Sequence, residues 1–243
     1  MGCSASNKTS PAMQSAPSAI PAASSSPSAQ VHPDCPMPVG FVAPNYAELY
    51  PVDSQMHFTG SPCQQRVVKL LVQLFECKCE IKNAEGDCQN KPCFQDLDFT
   101  SESMPDIIRH IGLKSKCPCM HDREEAQKSM VYKNLTIVEE FRKSFFKYAT
   151  AVLDNSEEAE SLKGPVMAQI AEIESVIGSN NYICGAEVCL ADVYLASVTS
   201  FGFQLLWTEE EAKSVMPNCV RECAQVYGDL DIAEECWGKM TFK

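Results

Sequence analysis

The chain has 243 residues, a formal net charge of −12 at neutral pH and a pI near 4.8, a balance that argues against a nucleic-acid partner and against electrostatic attraction to an anionic membrane face. It carries 14 cysteines, but disulfide frameworks suit small secreted domains, and the first thirty residues are Ser, Ala and Pro without the apolar core of a secretory leader, so free thiols are expected. No run approaches the ~18 unbroken apolar residues that would read as a membrane span.

The start, Met1-Gly2-Cys3-Ser4-Ala5-Ser6, matches the myristoylation pattern: removal of Met1 exposes Gly2, and Ser6 stands where a Ser or Thr is wanted. Cys3 is a thiol for a second, reversible palmitoyl chain. A single myristoyl group binds a membrane with only about 10⁴ M⁻¹, so stable residence needs both signals. These residues imply a chain at the cytoplasmic face of the plasma membrane or a related membrane. Lys8 is the positive charge near that anchor, so lipid rather than a polybasic patch must hold it. In that compartment Asn7-Lys8-Thr9 and Asn134-Leu135-Thr136 stay unglycosylated.

Residues 1–38 hold too little apolar surface to offset the entropy of ordering and read as a disordered acylated tether. Residues 39–53 are transitional, with Pro44 and Pro51 flanking Tyr46, Leu49 and Tyr50. A strand is expected at 55–59, where Met56 and Phe58 alternate with polar neighbours. Gly60-Ser61-Pro62 breaks it and opens a helix, with Ser61 as N-cap and Pro62 in the first turn. Val67, Leu70, Leu71, Leu74 and Phe75 give that helix one apolar face. Cys77, Cys79 and Ile81 then alternate with charged residues, which completes a strand–helix–strand unit. After a polar stretch at 83–90, residues 92–96 and 97–100 read as two short strands with a tight turn at Asp96. Ser101-Glu102-Ser103 precedes a helix carrying Ile107, Ile108 and Ile111, which Gly112 is expected to close.

Residues 114–122 read as a linker, and helix follows throughout 123–243. One stripe runs through Val131, Leu135, Val138, Phe145, Ala149 and Val152, and a second through Val166, Ile170, Ile173 and Ile177, ended by Gly178. Residues 190–203 are apolar nearly all round and predict a central buried helix. Thr208-Glu209-Glu210-Glu211 is a capping box. The fold class is therefore α+β with two domains, a small α/β domain over 54–113 and an all-α helical domain after the linker.

These motifs, in this order, resemble the glutathione transferase family over roughly residues 54–237, which implies a thioredoxin-like fold for the α/β domain. The turn Gly60-Ser61-Pro62-Cys63-Gln64-Gln65-Arg66-Val67, Pro92 before a strand, and Ser101-Glu102-Ser103 leading into Ile107-Ile108-Arg109-His110-Ile111 are similar to its N-terminal domain. Asn181-Tyr182-Ile183-Cys184-Gly185 through Cys189-Leu190-Ala191-Asp192, and Met216-Pro217-Asn218, are similar to its helical domain. The resemblance implies glutathione as a substrate and Ser61 as the catalytic hydroxyl, bonding to the sulfur so that it stays a thiolate, the nucleophilic form. Thr59 is a nearby substitute, and an ordinary helix cap is the competing role of Ser61. By the same resemblance Lys91 and Pro92 bind the cysteinyl part of glutathione, with Pro92 following a cis bond, and Glu102 and Ser103 bind its γ-glutamyl amine and carboxylate. Cys63, in the first helical turn, is a candidate redox thiol if the helix field favours its thiolate.

In the family's box a Ser or Thr stands where Cys189 is, so that cap is expected to be weak while Asp192 still bonds back. Cys117-Pro118-Cys119 with His121, and Cys77 with Cys79, lack the pairs of ordinary zinc sites, and no metal is expected. Two readings stand side by side. One is a membrane-tethered transferase that conjugates glutathione to, or reduces with it, small electrophilic or peroxidised substrates. The other is a non-catalytic interaction module of the same architecture, favoured by Lys91, Cys189 and the short 83–90 segment. Phe141, Phe145 and Tyr148 are candidates for a second-substrate pocket or for plain core, and a homodimer through the linker and first long helix is left open.

Overall fold

The computed structural model describes residues 56–83, 91–97, 99–115 and 117–243. The expected tether and transitional segment, with Gly2 and Cys3, lie outside the described residues, as do Gln55 and residues 84–90.

Period-two burial builds β1 (Met56–Gly60): Met56 and Phe58 are buried, while His57 between them is exposed. Gly60 is dictated by close approach, since a Cβ there would lie 2.6 Å from the ring of Phe58. Helix α1 (Pro62–Leu74) starts at Ser61 and lays Val67, Val68, Leu70 and Leu71 on the sheet. Glu76, at φ 51°, turns the chain into β2 (Cys79–Asn83), which pairs parallel to β1. β3 (Cys93–Asp96) pairs antiparallel to β1, and β4 (Phe99–Ser101) antiparallel to β3, giving the order β2-β1-β3-β4.

Helix α2 (Met104–Lys114) runs past the glycine expected to end it. Gly112 is there for packing: a Cβ would lie 2.5 Å from Leu190 Cδ1, so this position brings α2 against the helix that begins at Leu190. The expected linker contains a short helix, α3 (Pro118–His121). The amphipathic stripes become α4 (Glu125–Leu153) and α5 (Glu158–Ile177), the latter ended by Gly178 at φ 52°. α6 (Leu190–Leu206) is buried along most of its length, as its all-round apolar sequence predicts. α7 (Glu209–Val215) opens on the Thr208 box, where Glu211 N–H donates to Thr208 Oγ1 over 3.3 Å and Thr208 N–H to Glu211 Oε2 over 2.8 Å. α8 (Pro217–Asp229) and a short α9 (Ile232–Trp237), which hydropathy does not predict, complete the chain.

One continuous core joins the sheet to the helices, from Met56 and Phe58 through Ile108, Phe145 and Tyr194 to Trp237. Phe141 and Phe145 belong to it, each about 1% exposed, and Phe145 packs on Trp207 with ring centroids 5.4 Å apart. Tyr148 is partly buried against the same cluster. No helix among the described residues is long and apolar enough to cross a membrane.

Candidate functional site

Strand direction decides where the predicted residues fall. β1 and β4 run the same way and β3 opposes them, with Thr59 opposite Cys93 and Phe94 opposite Ser101. The end of β1 (Ser61), the start of β3 (Lys91 and Pro92) and the end of β4 (Glu102 and Ser103) therefore lie at one end of the sheet. Two strand spacings of ~4.8 Å separate β1 from β4, about 10 Å in all. That is close to the length of an extended tripeptide at ~3.3–3.6 Å per residue. Both α1 and α2 begin at this end, with Ser61 and Ser103 as N-caps, so two sets of first-turn N–H groups lie there and favour anionic groups.

Ser61 is half-buried, and its hydroxyl is already engaged. Its Oγ–H donates to Gln64 Oε1 over 3.0 Å, and its backbone N–H donates to the same oxygen over 2.8 Å. Gln64 is fully buried, and its Nε2 has no hydrogen-bond partner. Gln64 is the residue the sequence reading passed over, although Ser61-Pro62-Cys63-Gln64 is itself a capping-box pattern. Next to it, Gln65 Nε2 donates to Gly60 O over 2.8 Å and to Asn83 Oδ1 over 2.7 Å, fastening the turn to the end of β2.

Pro92 is buried and Lys91 exposed. Among the described residues no peptide bond is cis, so the Lys91–Pro92 bond is trans, which corrects the expectation drawn from the resemblance. Glu102 is exposed and Ser103 half-buried. Ser103 N–H donates to Ser101 Oγ over 3.0 Å, and the Ser103 hydroxyl makes no bond into its helix.

Of the two readings of Cys63, a reactive thiolate or a buried helix thiol, the structure favours the second. Cys63 is 4% exposed, and burial pushes its thiol up to about 12, with Arg142 and Arg66 nearby offsetting part of that cost. Desolvation thus suppresses the thiolate. Cys77 is only half-buried and precedes β2 rather than sitting in it. In the former linker, Cys117 Sγ and Cys119 Sγ stand 3.0 Å apart, while the side chain of His121 lies outside the described residues. A groove of about 420 Å³ between α4 and α5, lined by Thr136, Phe141, Gln169 and Ile173 among others, does not include the sheet-end residues.

At the start of α6 Cys189 and Asp192 stand in a reciprocal capping-box arrangement, with Asp192 making the firm half of it. Asp192 accepts from Cys189 N–H over 2.6 Å and from Ile183 N–H over 2.7 Å.

No protein-family model and no curated protein matches the sequence. Solved structures do resemble the fold. A theta-class glutathione S-transferase from the citrus canker pathogen Xanthomonas axonopodis pv. citri, with glutathione bound, superposes with a TM-score of 0.61 at 12% identity, covering 76% of this chain and 98% of that one. A delta-class glutathione transferase of Nilaparvata lugens gives 0.60 at 14% identity, covering 74% and 92%. A glutathione S-transferase from Methylobacterium radiotolerans, in complex with glutathione sulfonate, gives 0.59 at 12% identity, covering 78% and 96%. The chain has the fold of these enzymes, a thioredoxin-like sheet followed by a helical domain.

Proposed function

We propose that the chain binds glutathione at the end of its sheet and transfers the thiol to a small electrophile. The observation that carries this reading is the convergence of Ser61, Lys91–Pro92 and Glu102–Ser103 from three strands onto one tripeptide-sized edge where two helices begin. In this reading Glu102 pairs with the γ-glutamyl amine, and the Ser103 hydroxyl with the first-turn N–H groups of α2 receives the neighbouring carboxylate. Ser61 turns its O–H from Gln64 to the glutathione sulfur and holds it as a thiolate. The sulfur lone pair then forms the new C–S bond, and the electron pair of the bond that breaks leaves with the departing group or takes a proton from water.

Isothermal titration of the purified chain with glutathione tests the reading. Binding in the micromolar-to-millimolar range is expected, weakened at least tenfold in Glu102→Ala. Ser61→Ala is expected to keep binding and lose transferase turnover. No heat of binding from a folded sample would sink the proposal.

One observation favours the non-catalytic alternative. The Ser61 hydroxyl is committed to Gln64, so catalysis requires it to exchange that bond for one to sulfur. An active Ser61→Ala variant, or binding without turnover on any electrophile tried, would select the module reading.

The acyl anchor belongs to the same proposal and rests on Gly2, Cys3 and Ser6. It places the site beside electrophiles generated in lipid. Cells fed an alkyne-tagged myristate should label the wild-type chain and not Gly2→Ala, and label surviving in Gly2→Ala would remove the anchor from the reading.

A further inference from the structure

A second cluster of reactive side chains lies in the helical domain, at the start of α6, apart from the sheet-end residues. Cys184 Sγ and Cys189 Sγ are 2.8 Å apart. With a carboxylate oxygen of Asp192, all three ligand atoms fall within 4.8 Å of one another. Glu222, on α8, borders this group from outside the 4.8 Å set: its carboxyl hydrogen-bonds to that of Asp192 and interacts through space with Cys184. It is fully buried, and no other group among the described residues donates to its carboxylate oxygens. Two acidic side chains thus meet in the interior, an arrangement that requires either a proton shared between them or a cation in its place.

We propose that Cys184, Cys189, Asp192 and Glu222 bind a divalent cation of the zinc class, forming a structural site that ties the 182–189 loop to α6 and α8. Two sulfurs and two carboxylate oxygens make a four-ligand set of mixed softness, which suits Zn²⁺ and not Mg²⁺ or Ca²⁺. The outer partners fit as well. Asn134 Nδ2 donates to Cys184 Sγ over 3.3 Å, and the Ile183 and Cys189 N–H groups hold Asp192, so thiolate and carboxylate charge is spread over donors. Cys184 is half-buried, which leaves an entry path. Tetrahedral Zn–S bonds of ~2.3 Å want sulfurs about 3.8 Å apart, so the loop residue Cys184 would swing outward by about 1 Å. A disulfide would instead want about 2.0 Å, and the titration below separates the two outcomes. On binding, each coordinating thiol gives its proton to solvent as the metal–sulfur bond forms.

The test uses the full chain, reduced with a phosphine and stripped with a chelator, then titrated with Co²⁺ and back-titrated with Zn²⁺. The expected result is one equivalent of cobalt with a thiolate-to-metal charge-transfer band and tetrahedral d–d bands, both bleached by zinc. Zinc should also raise the thermal midpoint. Cys184→Ser and Cys189→Ser should each lose the charge-transfer intensity and the thermal shift. Cys189→Ser keeps the fold testable, because Ser is the better N-cap. Glu222→Gln should weaken cobalt binding at least tenfold, whereas Cys117→Ser with Cys119→Ser should leave it unchanged. Absence of the bands, bands that survive in Cys184→Ser or Cys189→Ser, or full affinity in Glu222→Gln would overturn the proposal. So would a mass two hydrogens lighter, mapped to a Cys184–Cys189 disulfide, in a chain that binds no metal after reduction.

Discussion

Asp96 shows what a single residue contributes at the end of the sheet opposite the candidate site. Its side chain is fully buried at the end of β3, where it accepts from His110 Nε2 over 3.0 Å, from Leu97 N–H over 2.8 Å and from Lys114. His110 is itself held by a stack on Phe99, with centroids 4.1 Å apart. Burial pushes the Asp96 carboxyl up, but the bonds from Lys114, His110 and Leu97 together outweigh it and hold the carboxyl below its usual range. Because the folded value is depressed, this stabilisation is fully present above the unfolded value near 3.9 and is lost as pH falls through the folded one. Asp96→Asn is therefore expected to cost about 3 kcal/mol at pH 7, since it leaves Lys114 and His110 facing a neutral amide. Urea unfolding at pH 7 and at pH 3 reads this out: the gap between variant and wild type should narrow at the acid end. An equal gap at both pH values would refute the charge argument.

Elements were legible in the sequence where their signals are local, and illegible where packing set them. The β1–α1–β2 unit follows from alternation and a Ser-Pro helix start, α4 and α5 follow from stripes at a 3.6-residue period, and α6 follows from an apolar run too long for a strand. Gly112 was misjudged because a glycine near a helix end looks like a cap, while the pressure for it comes from Leu190, far along the chain. α9 falls within the span expected to be helical, but its bounds were not legible, because six residues with two acids carry no clear period. The site divides the same way. Ser61 and Ser103 can be placed at helix starts by local rules, but their meeting depends on strand pairing. Glu222 lies on the buried stripe of α8 with Cys219, Cys223 and Val226, and only the neighbouring loop gives that carboxylate a meaning. Gly202 carries the same lesson into energetics. A Cβ there would lie 2.3 Å from Phe145 Cε1, so α6 and α4 touch closely at this glycine. Gly202→Ala gains helix propensity worth ~1 kcal/mol but must displace a fully packed ring, typically costing 1–3 kcal/mol. A net loss of stability is expected on thermal melting, and Gly202→Ala with Phe145→Leu should recover part of it. A stabilised single variant would show that Phe145 has room to move.

At the scale of the molecule, Arg66 joins the two domains. From α1 its guanidinium donates to Trp237 O over 3.2 Å and to Ser200 Oγ over 3.1 Å, and Trp237 Nε1–H returns a bond to Arg66 O over 2.9 Å. The same group lies 5.4 Å from the centre of the Phe201 ring and 5.8 Å from that of Trp237. Through this side chain the sheet domain reaches both α6 and α9, Gln73 accepts a further bond from Cys236, and the apolar core runs on beneath without a break. Two domains built over one core should unfold together. Both tryptophans, Trp207 and Trp237, report the helical domain, while hydrogen exchange in β1 and β3 reports the sheet. In the wild type the two signals should be lost at the same urea concentration. Arg66→Ala removes the side-chain bonds and the ring contacts at once, for an expected loss of about 2–3 kcal/mol. The informative quantity is whether the transitions then separate. If the continuous core suffices for coupling, both midpoints fall together. If Arg66 is the coupling itself, exchange in β1 and β3 should accelerate at urea concentrations where tryptophan fluorescence is still native. The unbroken core predicts the first result. The second would make the sheet, and with it the proposed glutathione edge, a separately unfolding unit that the helical domain stabilises through Arg66.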